Sequence, residues 1–275
     1  MHVKAKGKSP PMFNLTPIVK NLLIINLAMF VIPQFLMPNS ASFIDFFGLR
    51  YFSSPSFFPT QFLTYSIIHA SWSHLFSNMF GLAIFGPILE QTFGPKRFLV
   101  YYLVCSVGAG FIYSIVNFFE VYPFVEAAQV YLSKPSADAF AQLLSGFDQY
   151  TYQSYLVFID QYARNSANPE FQNEAGKIVE SLVSMRINTP MVGASGAIFG
   201  IMMGFGYLYP NLQMMLLFPP IPIKAKYMVG FYGIYALFSA VQKTPGDNVA
   251  HFAHLGGMVV GFLLIRYWKI TTNYY

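Results

Sequence analysis

Residues 191–209 read Met-Val-Gly-Ala-Ser-Gly-Ala-Ile-Phe-Gly-Ile-Met-Met-Gly-Phe-Gly-Tyr-Leu-Tyr, a run without a single charge. Its length suits a helix crossing about 30 Å of hydrocarbon, which takes roughly 17–25 residues. Gly196, Gly200 and Gly204 recur at spacing four, so they share one helix face where another backbone can approach closely. Near its start stands Ser195, a polar group of the kind that is costly inside a membrane and is a functional candidate there by default. Both features call for a partner helix, and residues 249–269 provide one. Ala253, Gly257 and Gly261 repeat the same spacing, and His254 lies about 60° around the helix from Gly257.

The rest of the chain has matching chemistry. It is 55% hydrophobic, 19% aromatic and 10% charged, against about 25% charged in soluble domains. This composition identifies an integral membrane protein and excludes disordered, collagen-like, coiled-coil and disulfide-scaffold classes. The single Cys105 excludes an internal disulfide and a cysteine metal cluster, and reads as a packing residue. The net charge of +5 is scattered, without the clustered basic face that nucleic acid requires. Six candidate spans emerge: Ile18–Met37, Trp72–Gln91, Phe98–Phe119, Met191–Tyr209, Ala225–Gln242 and Val249–Lys269. The first is too long for a cleavable signal peptide and lacks a clear small-residue cleavage site.

Orientation follows from the Lys/Arg excess of cytoplasmic loops. Lys4, Lys6, Lys8, Lys20, Lys96, Arg97, Lys224, Lys226, Arg266 and Lys269 fall on one side, with Glu90 nearby. Arg50, Lys134, Arg164, Lys177, Arg186 and Lys243 fall on the other, among the remaining acids. Both termini are therefore expected in the cytoplasm, with the cell membrane as location. The expected fold is an all-α membrane protein, a six-helix transmembrane bundle with a helical extramembrane insertion between spans three and four. Residues 1–17 form a cytoplasmic tail and 18–119 carry spans one to three. Within the latter, residues 38–61 form a Phe-rich interfacial loop. Residues 120–190 form the insertion and 191–275 carry spans four to six with a short tail. The insertion holds eight acids against four basic residues, and Phe140, Leu143, Leu144 and Phe147 recur at helical spacing. Two to four amphipathic helices are expected in it, separated near Pro135, Asp148 and Pro169.

Spans two, four and six all run from outside to inside, and each begins with polar residues. His74, Asn78, Ser195 and His254 therefore share a depth roughly 5–10 Å below the outer surface at 1.5 Å per residue. Packing the two small-residue stripes together brings the Ser195 hydroxyl to the His254 imidazole. A serine is a poor nucleophile until a base takes its proton, so this pair suits covalent catalysis. Singly, a serine in a membrane helix bonds a backbone carbonyl and a buried histidine is structural; it is the conjunction at one depth that points to chemistry. His69 and His251 read as structural, and Glu90 as the anchor of a loop by hydrogen bonds. Ala197 replaces the second glycine of Gly-x-Ser-x-Gly, so a hydrolase nucleophile elbow is excluded. No His-Glu-x-x-His is present, which argues against a zincin. No acid lies at the level of the site, so the pair is a dyad and not a triad.

These residues resemble the rhomboid family of intramembrane serine proteases. The resemblance rests on His69-x4-His74-x3-Asn78, Gly193-Ala-Ser195-Gly196 and Ala253-His254-Leu-Gly-Gly257, supported by Leu89-Glu90-x2-Phe93-Gly94 and the Pro219–Lys226 connection. It implies Ser195 as nucleophile and His254 as general base. It also implies His74, Asn78 and the Ser195 N–H as oxyanion donors, and His69 as a structural histidine. Phe199 stands where many members carry a Tyr that packs on the catalytic imidazole, and Thr60-Gln61 stands in place of the usual Trp-Arg pair. The implied activity is endopeptidase cleavage of transmembrane protein substrates near the outer face of the bilayer, with no cofactor or metal. Two other readings fit less well: a catalytically silent binding or chaperone-like relative, and a histidine-based metal-binding membrane protein using His69, His74, His251 and His254.

Overall fold

The computed structural model describes residues 15–36, 41–147, 149–215, 220–242 and 249–270. The expected N-terminal tail through Asn14, the Met37–Ser40 part of the first junction and the Asp148 break lie outside the described residues. So do Pro219, Lys243 and the last five positions.

Helix α1 (Pro17–Leu36) packs on α4 (Trp72–Phe93). The buried Glu90 of α4 accepts from the Ile18 and Val19 N–H groups at 3.1 and 2.9 Å, and from the Thr16 hydroxyl. A helix start leaves N–H groups without intrahelical partners, and a carboxylate placed there satisfies them and complements the helix dipole. The anchoring role read for Glu90 thus acts on the start of α1. Between α1 and α4 run α2 (Ala41–Phe47) and the short α3 (Gln61–Thr64). Gly94 ends α4 at φ +79°, a conformation glycine adopts without strain, and Pro95 opens the next helix with φ pre-set.

That next helix, α5, runs unbroken over Pro95–Ser133. Its 39 residues make about 58 Å at 1.5 Å per residue, nearly twice a hydrocarbon core. The helix therefore does not stop at Phe119, where the expected span ends, but runs on through Pro123 as the first helix of the expected insertion. Hydropathy falls at Glu120, but only Pro123 in the next fourteen residues opposes a helix. The extension is covered by α6 (Ala137–Phe147), α7 (Gln149–Ser154), α8 (Leu156–Arg164) and α9 (Pro169–Asn188). They share a core separate from that of the bundle, built from Phe124, Tyr131, Phe140, Leu144, Tyr162, Val179 and Leu182. The breaks at Pro135 and Pro169 fall as expected, with Asn168 capping the Glu170 N–H of α9 at 2.9 Å.

Helix α10 (Ser195–Leu208) lies at the centre of the bundle, against α4, α5, α11 (Ala225–Gln242) and α12 (His251–Trp268). It has only 14 residues, shorter than the expected Met191–Tyr209, because residues 191–193 are held by backbone bonds to Leu49 and Tyr65, described below. Among the described residues two helices, α1 and α5, are long and apolar enough to cross a membrane by length and composition alone. A pair of three-residue antiparallel strands, β1 (Gln213–Met215) and β2 (Pro222–Lys224), lies between α10 and α11 with Met214 opposite Ile223, a small addition to an all-α fold. The small-residue stripes do face each other. A Cβ on Gly257 would fall on the Gly196 carbonyl oxygen, and one on Gly261 would lie 2.9 Å from the Gly200 oxygen. Cys105 fills the third side, its Sγ 2.6 Å from a would-be Gly200 Cβ, and Tyr101 donates to the Gly200 carbonyl at 2.7 Å. The packing role of Cys105 is as read. Phe35, Phe76, Phe111, Phe231, Ile234, Phe238 and Leu263 stand exposed on the outside, an apolar surface that monomers in water rarely present.

Candidate active site

Ser195 is the first residue of α10 and His254 lies in the first turn of α12. Packing of the two glycine stripes sets Ser195 Oγ 2.8 Å from His254 Nε2, within ordinary hydrogen-bond reach. Phe199, one turn below Ser195, lays its ring flat on the imidazole, with centroids 4.1 Å apart and planes 8° apart. The ring fixes the imidazole plane by contact alone, since phenylalanine has no hydroxyl to bond. His251 meets the same imidazole edge-on at 5.8 Å, and Tyr235 in turn meets the His251 ring edge-on at 6.3 Å.

The other two expected residues sit across the Gly193 turn. Gly193 has φ +120°, and a Cβ there would lie 2.5 Å from His74 Nε2 and 3.6 Å from Asn78 Nδ2. Only glycine lets the backbone pass so close to the imidazole. Asn78 is 5% exposed, and its amide nitrogen has no hydrogen-bond partner among the described residues. Ser71 caps α4 by accepting from the His74 N–H at 3.2 Å, which fixes the start of the helix that carries both side chains. The structure therefore brings together all four expected residues: Ser195 with His254 directly, and His74 with Asn78 beside Gly193. His69 is buried edge-on to His74 with centroids 5.1 Å apart, outside this group.

Ser195 also lies at a helix start. The first bond into α10 runs from the Ile198 N–H to the Ala194 carbonyl at 3.1 Å, so the N–H groups of Ser195, Gly196 and Ala197 precede the ladder. Together with the dipole, such a terminus favours negative charge.

Sequence reasoning missed the support beneath this turn. Gln61, 1% exposed, accepts from the Arg50 N–H at 3.3 Å through Oε1. Its Nε2 donates to the Phe46 and Ser56 carbonyls at 3.1 and 2.9 Å. One amide thus ties together the segment between α1 and α4 where the family pattern has Trp-Arg. Thr64 adds a bond to the Phe47 carbonyl at 2.7 Å. That segment then holds the entry to α10: Leu49 and Met191 exchange both backbone bonds at 2.8 Å, and the Gly193 N–H donates to the Tyr65 carbonyl at 2.9 Å. The only trace in sequence is a glutamine among aromatics, which carries no periodic signal.

Comparison with known proteins agrees with the fold and the motifs. The family model described as "Rhomboid domain" matches residues 59–128 and 172–269, more than half of the chain, and the intervening residues 129–171 fall within the insertion. Rhomboid-like protein 12, mitochondrial, of Arabidopsis thaliana is 25% identical over 250 residues, covering 88% of this chain and 56% of its own length. Rhomboid protein 1, mitochondrial, of Saccharomyces cerevisiae is 35% identical over 82 residues, 30% of this chain and 23% of the relative. Rhomboid-like protein 11, chloroplastic, of Arabidopsis thaliana is 31% identical over 91 residues, 33% of this chain and 30% of the relative. The chain thus spans little more than half the length of Rhomboid-like protein 12 and less than a third of the length of the other two relatives.

Proposed function

The chain belongs to the rhomboid family of membrane proteins, and we propose that it is an intramembrane serine endopeptidase with a Ser195–His254 dyad. The observation that carries the proposal is the 2.8 Å approach of Ser195 Oγ to His254 Nε2 at the head of a helix. In the proposed reaction His254 takes the hydroxyl proton as Oγ attacks the scissile carbonyl carbon. The negative charge on the carbonyl oxygen meets the Ser195 N–H, the free Asn78 amide and His74. Collapse expels the amine, which receives its proton from His254, and leaves an acyl ester on Ser195. A water deprotonated by His254 then releases the acid. Donors aimed at charge that exists only in the transition state raise turnover without tightening substrate binding.

Six spans, with both termini in the cytoplasm, put this site near the outer face of the bilayer, and the cell membrane is the proposed location. The mitochondrial and chloroplastic labels belong to the relatives. The substrates are transmembrane proteins whose helix unwinds to offer a peptide bond. The acidic insertion, which stands on the same side, acts as a cap or sorting element. The test is incubation of purified protein with a single-span substrate, with and without Ser195→Ala. Cleavage that persists in a chelator and vanishes in Ser195→Ala supports the dyad and argues against a histidine-bound metal. Cleavage at the same bond by the variant ends the serine-protease reading, and a silent parent that still binds the substrate supports the binding relative.

A further inference from the structure

The end of α9, the last helix of the insertion, is fastened to the same segment that holds the entry to α10. Asn188 ends α9, and its backbone carbonyl accepts from the Arg50 guanidinium. Its side-chain Oδ1 accepts from the Ser54 hydroxyl at 2.7 Å. Arg50 is itself buried and aimed, with Nε on the Asp45 carbonyl at 3.0 Å and its other nitrogen paired with the Asp45 carboxylate at 2.9 Å. From there the two strands of chain run together toward the site. Gly48 admits Pro190, to which a Cβ would come within 2.6 Å, and Leu49 pairs with Met191. Two residues on, Gly193 bonds Tyr65, and two more reach Ser195.

We propose that Arg50, Ser54 and Asn188 form a latch that positions the Gly193–Ser195 turn, so that the insertion sets the geometry of the oxyanion site from the end of its last helix. The inference rests on the serine-protease reading. The physical basis is register. Four residues separate Asn188 from Gly193, and over this stretch the backbone is held by one bridge, to Leu49, and one hydrogen bond, to Tyr65. Fixing Asn188 removes the freedom of that short segment to slide. Gly193 must sit within van der Waals range of His74, so a displacement of about 1 Å at this turn disturbs the donors directly, and misplacement of that size can cost about 10²-fold in rate. None of the three residues reaches the dyad, so each acts as a positioning residue.

The readout is the rate at which a small fluorophosphonate labels Ser195. The probe needs the nucleophile and oxyanion donors but is too small to require the insertion for recognition. Full-length protein in detergent is compared with Asn188→Leu, Ser54→Ala and Arg50→Gln, each normalised to its end-point labelling, with the unfolding midpoint measured beside it. Expected is a labelling rate about tenfold lower in Asn188→Leu and Ser54→Ala, and lower still in Arg50→Gln. Asn188→Asp, which keeps an acceptor for the Ser54 hydroxyl, restores it to within about twofold. Should Arg50→Gln fail to fold, the two milder variants carry the test. Unchanged labelling rates in Asn188→Leu and Ser54→Ala, whatever their midpoints, overturn the latch and leave the dyad standing. A parent protein that does not label at Ser195 overturns both.

Discussion

Replacing Gly257 by alanine adds one methyl group at the tightest point of the bundle. A Cβ there would lie inside the Gly196 carbonyl oxygen, whereas ordinary contact begins at 3.4 Å. Neither atom is a flexible side-chain tip, so α10 and α12 must part by more than about 1 Å, with a stability cost of roughly 1–3 kcal/mol for a forced overpacking. Gly196 adjoins Ser195, and His254 lies one turn from Gly257, so the separation falls on the dyad. An Oγ–Nε2 distance of 2.8 Å would open to about 4 Å, beyond hydrogen-bond reach. Expected is a fall of about 10²-fold in cleavage and in fluorophosphonate labelling of Ser195, together with a lower unfolding midpoint. Gly230→Ala is the control. A Cβ there meets nothing within 4 Å, and glycine costs a helix interior about 0.5–1 kcal/mol relative to alanine, so this variant should be active and slightly more stable. A Gly257→Ala protein with normal midpoint and normal labelling would refute the packing argument.

Ser195→Ala and His254→Ala should each abolish cleavage, and the double variant should be no worse than either, because the two groups act as a unit; additive losses in single-turnover assays would contradict this. Asn78→Ala should lower kcat about 10²–10³-fold with KM little changed, and a variant altered in KM alone would remove Asn78 from the oxyanion site. Glu90→Leu should lower stability by about 2–3 kcal/mol by leaving the start of α1 without its acceptor, read as a shift in the unfolding midpoint; an unshifted midpoint would show that another group caps that helix. Replacing residues 121–184 with a Gly/Ser linker, which spares Asn188, should keep Ser195 labelling and change which single-span substrates are cut; unchanged discrimination would refute the sorting role.

The site was legible because its members obey rules that sequence records. A serine and a histidine inside apolar runs stand out by cost, and glycines at spacing four mark a face through the 3.6-residue period. Their juxtaposition, with Gly196 against Gly257, follows from those two facts. Elsewhere the outcome depended on contacts that no period encodes. Arg50 meets Asn188, 138 positions away, and Gln61 gathers three backbone groups from an irregular loop. The full length of α5 was not legible for a different reason. Hydropathy reports where lipid contact ends, but α5 continues past Glu120 because its later residues find a second core in Phe124, Ala128 and Tyr131. The strands β1 and β2 escaped because three residues are too few for an alternating pattern to show.

The shortness of α10 links these layers. At 14 residues it spans about 21 Å, less than the hydrocarbon thickness. On the six-span reading its start therefore lies below the outer surface, where unpaired backbone is tolerated only if protein or a water-filled cavity surrounds it. Residues 191–193 meet that condition by pairing with Leu49 and Tyr65. Extending α10 upward by one turn would satisfy more of its own backbone, but it would bury the Ser195 N–H in the ladder and remove a donor from the oxyanion. The helix start left at depth and the segment that compensates for it are thus two halves of one arrangement. The segment between α1 and α4 that carries Arg50 and Gln61 supplies the second half. For that reason polar residues far from the dyad should matter to its chemistry as much as the packing beneath it.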